Sequence, residues 1–380
     1  MKKTIYLDHA ATTPMAPEVI DVMTSALKEN YGNASSIYQL GKKNRVLIDY
    51  ARKTMAESIH AQADEIIITS GGTESDNMAI IKTADHFSDR GKHIISTQIE
   101  HPAVLEPLKY LETKGYEVTY LPVDEKGQIT VEQVKEAIRP DTTLISIMYG
   151  NNEVGSILPI KEIGEYIASL EEEIIFHTDA VQAYGVLPLD VNELKVDLLS
   201  VSAHKMHGPK GIGFLFVRDG VNIPSLLLGG GQENAHRAGT ENVPAILAFE
   251  KAIQISEENK EKNYEKLNAL KEKMVELLED SDVNYSINGN LDHALPHVLS
   301  LCLPDVRSDM LLIHMDLHGI ALSAGSACSA GTVEPSHVLT AMFGADATEV
   351  TNTVRISFGV ENTEAELKEV VKLLKKVTKK

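Results

Sequence analysis

HIISTQIEHPAVLEPLKYLETKGYEVTYL, residues 93–121, holds two strand-like runs with a helical pattern between them. HIIST and EVTYL are short and apolar, and VLEPLKYLETKG places its apolar residues at helical spacing. Such a segment reads as a strand–helix–strand unit. The alternation continues outward on both sides. EIIIT (65–69) precedes the unit, and TLISIM (143–148), EIIFHT (173–178), DLLSVS (197–202) and GFLFV (213–217) follow it, most of them separated by helical patterns. This pattern predicts an α/β fold, a mostly parallel seven-stranded sheet with helices on both faces. Ligands in such folds gather at the carboxyl ends of strands.

Beyond residue 217 the pattern changes. EENKEKNYEKLNALKEKMVELLED (257–280) spaces Tyr264, Leu267, Leu270, Met274 and Leu277 three or four apart, the stripe of a long surface helix leading out of the sheet domain. VNYSING, HVLSLCL, GIALSA and TVRISFG follow as shorter strands with helices between them, which predicts a smaller α+β domain. The division expected is a large domain over 15–256 and a small domain formed by 1–14 and 257–380. The basic, amphipathic KEVVKLLKKVTKK at the C-terminus reads either as a solvated helix face or as a docking surface for an acidic partner.

The chain has 380 residues, 43% of them apolar and 24% charged, enough for a sizeable core. Its 36 basic and 55 acidic side chains leave a net charge of -19, which repels nucleic-acid backbones and anionic lipid. The N-terminal MKKTIYLDHAATTP has no apolar run of signal length, and no later stretch approaches a membrane span, so a cytoplasmic protein is expected. Only two cysteines occur, and both read as free thiols of a reducing compartment. Cys302 lies in an apolar strand-like run and reads as core. Cys328 lies in SAGSACSAG (323–331), among nothing larger than a serine.

Three stretches carry chemistry. ITSGGTESDN (68–77) is a strand, two glycines and a polar helix start, either an oxyanion cradle or a helix capped by Thr73 or Ser75. EEIIFHTDAVQAYG (172–185) ends a strand on Asp179, with Gln182 three residues on. The carboxylate could hold a protonated ring nitrogen and the amide a phenolic oxygen, or Asp179 could simply cap the next helix. DLLSVSAHKMHGPKGIGF (197–214) sets Lys205 directly after a buried strand, where desolvation lowers a lysine's pKa and favours Schiff-base chemistry; a surface lysine at a strand end is the competing reading. His204 with His207, and His314 with His318, lack the companion ligands of a metal site, so no metal is expected.

Taken in order, the motifs resemble the cysteine desulfurases of the pyridoxal-phosphate-dependent class V aminotransferase family, the NifS/IscS type. The resemblance runs from YLDHAATTP (6–14) through TSGGTESDN, IEHPAV (99–104), NNEVG (151–155), HTDAVQ (177–182), SAHKMHGPKG (202–211), RAGTEN (237–242) and SAGSACS to VRISFG (354–359). It implies the pyridoxal-phosphate-dependent transferase fold (fold type I) and assigns roles by position. Lys205 looks like the Schiff-base lysine, Asp179 like the partner of the pyridinium nitrogen, Gln182 like the ligand of the ring oxygen, and His101 like the catalytic imidazole stacked on the ring and available for proton transfer. Gly72, Thr73, Ser202 and His204 match the phosphate cradle, with Thr240 implied to reach in from the second subunit of a homodimer. Asn152 and Arg355 match residues around the substrate, the arginine suited to a bidentate grip on a carboxylate. Asn33, in YGNASS, matches a substrate-side loop. Ala34 and Ala324 depart from the proline and serine of many relatives, and neither departure removes a reacting group.

The implied reaction takes sulfur from L-cysteine and leaves L-alanine. Cys328 would carry the sulfur as a persulfide to an acceptor protein, an iron–sulfur scaffold or a thiolation enzyme. Ser, Ala and Gly cannot anchor a segment in a core, so residues 323–333 are expected to form a mobile loop that swings the thiol between substrate and acceptor. Glu334 is the only charged side chain between His318 and His337, so the cation that activates Cys328 must come from elsewhere in the fold. Competing functions are a selenocysteine lyase or aminotransferase of the same fold, or a non-catalytic scaffold.

Overall fold

The structure, a computed structural model, describes residues 4–325 and 335–378. After a two-residue strand β1 (Ile5–Tyr6), seven strands build one sheet: β2 (Ile66–Thr69), β3 (His93–Thr97), β4 (Glu117–Leu121), β5 (Thr142–Ser146), β6 (Ile175–Asp179), β7 (Leu198–Ser202) and β8 (Gly213–Val217). Each coincides with one of the seven apolar runs. Their spatial order is β2-β8-β7-β6-β5-β3-β4. β8 alone runs against its neighbours, antiparallel to both β7 and β2. The connection over 203–212 is too short for a parallel crossover, which needs a dozen or more residues.

Alternation along each strand sends successive residues to opposite faces. Ile66, Ile95, Ile145, Phe176, Leu199 and Phe214 belong to one core cluster. Their neighbours Ile67, Ile94, Leu144, Ile175, Leu198 and Leu215 belong to another. Helices Gly72–His86 and Pro102–Glu112 bring Met78, Ile80, Val104 and Leu108 to the second cluster. Helix Gln39–Glu57 and the first half of helix Val243–Glu279 bring Ile48, Met55, Ile246 and Phe249 to the first. Because both faces are covered, the strands read as continuous apolar runs.

Helix Val243–Glu279 runs unbroken for 37 residues, starting well before the stripe that opens at 257. Val243, Ala245, Ile246, Ala248 and Phe249 are all buried, so no single stripe marks its first half. The Asn242 side chain caps it, accepting from Ala245 N at 3.3 Å. Its second half carries Leu267, Leu270, Met274 and Leu278 into a separate core, while Tyr264 is exposed. Four further strands follow: β9 (Ser286–Asn288), β10 (Val298–Cys302), β11 (Ile320–Ala321) and β12 (Thr353–Ser357). They form an antiparallel sheet β12-β10-β9 and a parallel β1-β11 pair. Helix Glu364–Thr378 turns Leu367, Val370 and Leu374 into the same core. Cys302 is a buried, free thiol in β10.

The N-terminal segment joins the two parts. Ile5 and Leu7 sit in the separate core that the second half of helix Val243–Glu279 helps to form. Leu7 O accepts from Ser357 N at 2.8 Å, and Ala10 N donates to Ser357 Oγ at 2.9 Å. Residues 10–13 are thereby laid against the segments that leave β6 and β7, where Thr13 N donates to His204 O at 3.0 Å.

Candidate active site

A cavity of about 360 Å³ opens where β2, β6 and β7 end, a volume suited to a small ligand. Gly72, Thr73, His101, Asn152, Asp179, Gln182, Ser202, His204, Lys205 and Arg355 all line it. Asn33 and Thr240 do not. Asn33 is exposed, with Oδ1 accepting from Ser35 N at 2.8 Å. Thr240 borders a different hollow, beside Arg237 and Glu241. Cys328 lies outside the described residues.

One wall is a helix start. β2 runs into Gly71, whose φ of 141° favours glycine, and helix Gly72–His86 begins at once. Its first amides have no partners within the helix and sit at the positive end of its dipole. A Cβ at Gly72 would stand 2.8 Å from Val181 Cγ2, so the turn closes on the segment after Asp179 only because no side chain is there. His204 Nδ1 lies 3.1 Å from Thr12 Oγ1. Burial, followed by the Lys205 and Lys210 charges, lowers its pKa to about 4. Free amides, the hydroxyls of Thr73 and Ser202 and a neutral imidazole make a cradle for an oxyanion.

Lys205 follows a single 3₁₀ turn after β7, and its Nζ donates to Ala10 O at 2.6 Å and Ala11 O at 2.9 Å. Burial and the Arg355 charge lower its pKa to about 8, against the opposing pull of Asp179 and Asp8. Asp179 ends β6 with Oδ1 accepting from Val181 N at 2.8 Å. Burial raises its pKa to about 6, opposed by that hydrogen bond and by Lys205. A cation placed against Asp179 would restore its charge fully. Gln182 is buried, with Nε2 donating to Ala10 O at 2.9 Å.

His101 caps helix Pro102–Glu112, its Nδ1 accepting from Ala103 N at 3.0 Å. The ring is exposed to the cavity. Desolvation, then the Lys205 and His337 charges, hold it near a pKa of about 4, neutral at pH 7. Arg355 is buried in β12. Its Nη1 donates to Asn152 O and its Nη2 to Asp8 Oδ1, both at 2.8 Å, while its Nε has no partner among the described residues. Backbone bonds tie Ser323, at the start of the predicted loop, to Arg355.

Four further residues, three of them inside the quoted motifs, have no role assigned by the sequence reading. Asp8 fixes Arg355. His177 lies two residues before Asp179 on the same face of β6, bonded to Ser146 Oγ at 2.8 Å and Ser200 Oγ at 3.0 Å. Its Nε2 stands 3.6 Å from Asp76 Oδ1. Asp76 is fully buried and lines the cavity, and burial together with Asp179 pushes its pKa well up. His297 touches Gln182. Strand alternation exposes His177 in the sequence, and helical spacing from Gly72 exposes Asp76. Nothing local signals His297.

The aminotransferase class-V family matches residues 5–370, and the chain belongs to it. Its enzymes depend on pyridoxal phosphate. A relative named putative cysteine desulfurase IscS 1, from Bacillus subtilis (strain 168), is 49% identical over 376 residues, 99% of each chain. A solved NifS-like protein superposes with a TM-score of 0.92 at 36% identity, over 98% of this chain and 99% of that one. Another solved structure, described as SspA in complex with cysteine, gives 0.82 at 35% identity over 95% of this chain and all of its own.

The cavity fits pyridoxal phosphate on its own terms. It offers an oxyanion cradle, a lysine held below its usual pKa, a buried carboxylate needing a cation, and an amide beside that lysine. Among the described residues no three histidine, cysteine or carboxylate side chains are grouped to hold a metal ion.

Proposed function

We propose that this chain is a cysteine desulfurase, taking sulfur from L-cysteine, releasing L-alanine and passing the sulfur from Cys328 to an acceptor protein. The observation that carries the reading is the convergence of Lys205, Asp179 and Arg355 on one cavity. The neighbour described with bound cysteine supports the substrate.

Bound pyridoxal phosphate supplies an electron sink for charge left at the substrate Cα. The protein does the rest. Asp179 would hold the ring nitrogen protonated, Gln182 would donate to the ring oxygen, and Gly72, Thr73, Ser202 and His204 would hold the phosphate. His101, a neutral imidazole, would stack on the ring and be available for proton transfer. Arg355, fixed by Asp8, receives the substrate carboxylate beside Asn152, and Asn33 belongs to the substrate-side loop. Lys205 moves the Cα proton, which its lowered pKa suits. The Cys328 thiolate attacks the substrate sulfur: an S–S bond forms as the Cβ–S bond breaks. The bonding pair stays on carbon, which takes up a proton and becomes the methyl group of alanine.

The same proposal includes a homodimer, with Thr240 serving the partner's phosphate cradle. Supporting it, Leu40, Val46 and Tyr50 are exposed on helix Gln39–Glu57, and Arg45 of that helix pairs with Glu241 at 2.6 Å, next to Thr240. The acceptor is an iron–sulfur scaffold or a thiolation enzyme, and a cytoplasmic location is supported by reading both cysteines as free thiols. No described helix is long and apolar enough to cross a membrane.

The purified protein should be yellow and release alanine and sulfide from L-cysteine with a reductant. Cys328→Ser should stay yellow and form no persulfide, and Lys205→Ala should lose the chromophore. Wild-type turnover by Cys328→Ser would sink the reading.

A further inference from the structure

Gln182 has a single described partner on each side of its amide. Nε2 donates to Ala10 O at 2.9 Å, and Oε1 lies 3.2 Å from His297 Nε2. A backbone carbonyl only accepts, so Ala10 settles which end of the amide is nitrogen. Gln182 Oε1 is then an acceptor, and His297 Nε2 must carry the hydrogen. Gln182 and His297 are both more than nine-tenths buried. The surroundings keep His297 neutral: burial, then the charges of Lys271, His9, Arg355 and Lys205, all lower its pKa, to about 3. One ring proton therefore exists, and it is on Nε2. His297 Nδ1 is buried with no partner among the described residues, and His297 lines a second cavity of about 530 Å³ together with Lys205 and Gln182. Of the two cavities, Lys205 and Gln182 line both and His297 the second.

We infer that His297 is a positioning residue: by donating from Nε2 to Gln182 Oε1 it locks the Gln182 amide, so that the second Nε2 hydrogen points at the cofactor's ring oxygen. This rests on the role proposed for Gln182. Ala10 O receives both Gln182 Nε2 and Lys205 Nζ, so the locked amide shares an anchor with the lysine itself. A Gln182 freed at Oε1 can turn about its last side-chain bond, and the hydrogen bond to the ring oxygen is lost for part of the time.

The test uses the full chain loaded with pyridoxal phosphate, alongside its apoprotein. His297→Leu should weaken pyridoxal phosphate binding by about fivefold, the scale of one neutral hydrogen bond. It should also raise the pH midpoint of the yellow chromophore by about half a unit, because the ring oxygen loses a donor that favours its anion. His297→Gln keeps an N–H donor at comparable reach and should restore both readings, which a merely space-filling role would not require. Adding His297→Leu to Gln182→Leu should cost little more, since His297 acts through Gln182 alone. The inference is overturned if His297→Leu leaves midpoint and affinity unchanged, or if His297→Gln behaves like His297→Leu. Failure of the wild-type chain to bind pyridoxal phosphate would instead overturn the functional reading beneath it.

Discussion

Replacing Arg355 by Gln should make Lys205 a poorer nucleophile without touching it. The lysine's pKa falls from the ordinary 10.5 to about 8, with burial the first cause and the Arg355 charge the second. A drop of that size is worth about 3 kcal/mol and raises the neutral fraction at pH 7 from about 0.03% to about 9%. Burial persists in Arg355→Gln, so most of the drop remains. The cationic contribution vanishes, and Asp8, which Arg355 now binds at 2.8 Å, is released to favour the ammonium form. Both changes act in one direction. We expect the Lys205 pKa to rise by about half to one unit, cutting the neutral fraction at pH 7 by about three- to tenfold. The assay is the rate at which apoprotein captures pyridoxal phosphate, followed by absorbance from pH 6 to 10. Capture requires the neutral amine, so the rate should climb through a midpoint near 8 in the wild type and through a higher one in the variant. A wild-type midpoint at the ordinary lysine value, or a variant midpoint below wild type, would refute the reasoning.

Glu233 holds Arg52 through two contacts, at 2.6 and 2.7 Å, and also accepts from Ile68 N at 2.8 Å, with both side chains buried. Glu233→Ala strands the guanidinium and should cost about 3–5 kcal/mol in urea unfolding, while Arg52→Leu with Glu233→Leu should recover much of it. Gly213→Ala would put a Cβ 2.2 Å from Val201 O and 2.9 Å from Gly71 Cα. The backbone must shift under the phosphate turn, so pyridoxal phosphate affinity should fall by at least tenfold in a spectroscopic titration, with the far-ultraviolet circular dichroism unchanged.

The sheet was legible because its strands are buried on both faces: HIIST and GFLFV announce themselves as apolar runs without any partner in view. The reversal of β8 was less so, since it depends on how few residues separate two such runs. The early start of helix Val243–Glu279 escaped because a segment buried on several sides has no stripe. Within the site, Lys205, Asp179 and Gly72 each sit at the end of a readable strand, where a local pattern gives their place. Arg355 and His297 do not. Arg355 reaches the cavity from β12 and His297 reaches Gln182 from just before β10, each across more than a hundred residues of sequence, and only the ordered motif set pointed to the arginine. The companion roles of Asp8 and His297 are set by single hydrogen bonds that leave no periodic trace.

The pin between Ser357 and residues 7–10 also fixes an order of events in synthesis. Strands β2 to β8 and their covering helices have left the ribosome long before residue 357, and domains tend to fold as they emerge. The segment that carries the carbonyls of Ala10 and Ala11, which hold Lys205, is pinned on one side by that late-arriving serine and on the other by bonds to His204 and Gln182. A nascent chain can therefore own a finished sheet yet have the floor of its site held on one side only. Cofactor capture becomes a check on completed synthesis, and a chain truncated before β12 should fold its sheet and stay colourless.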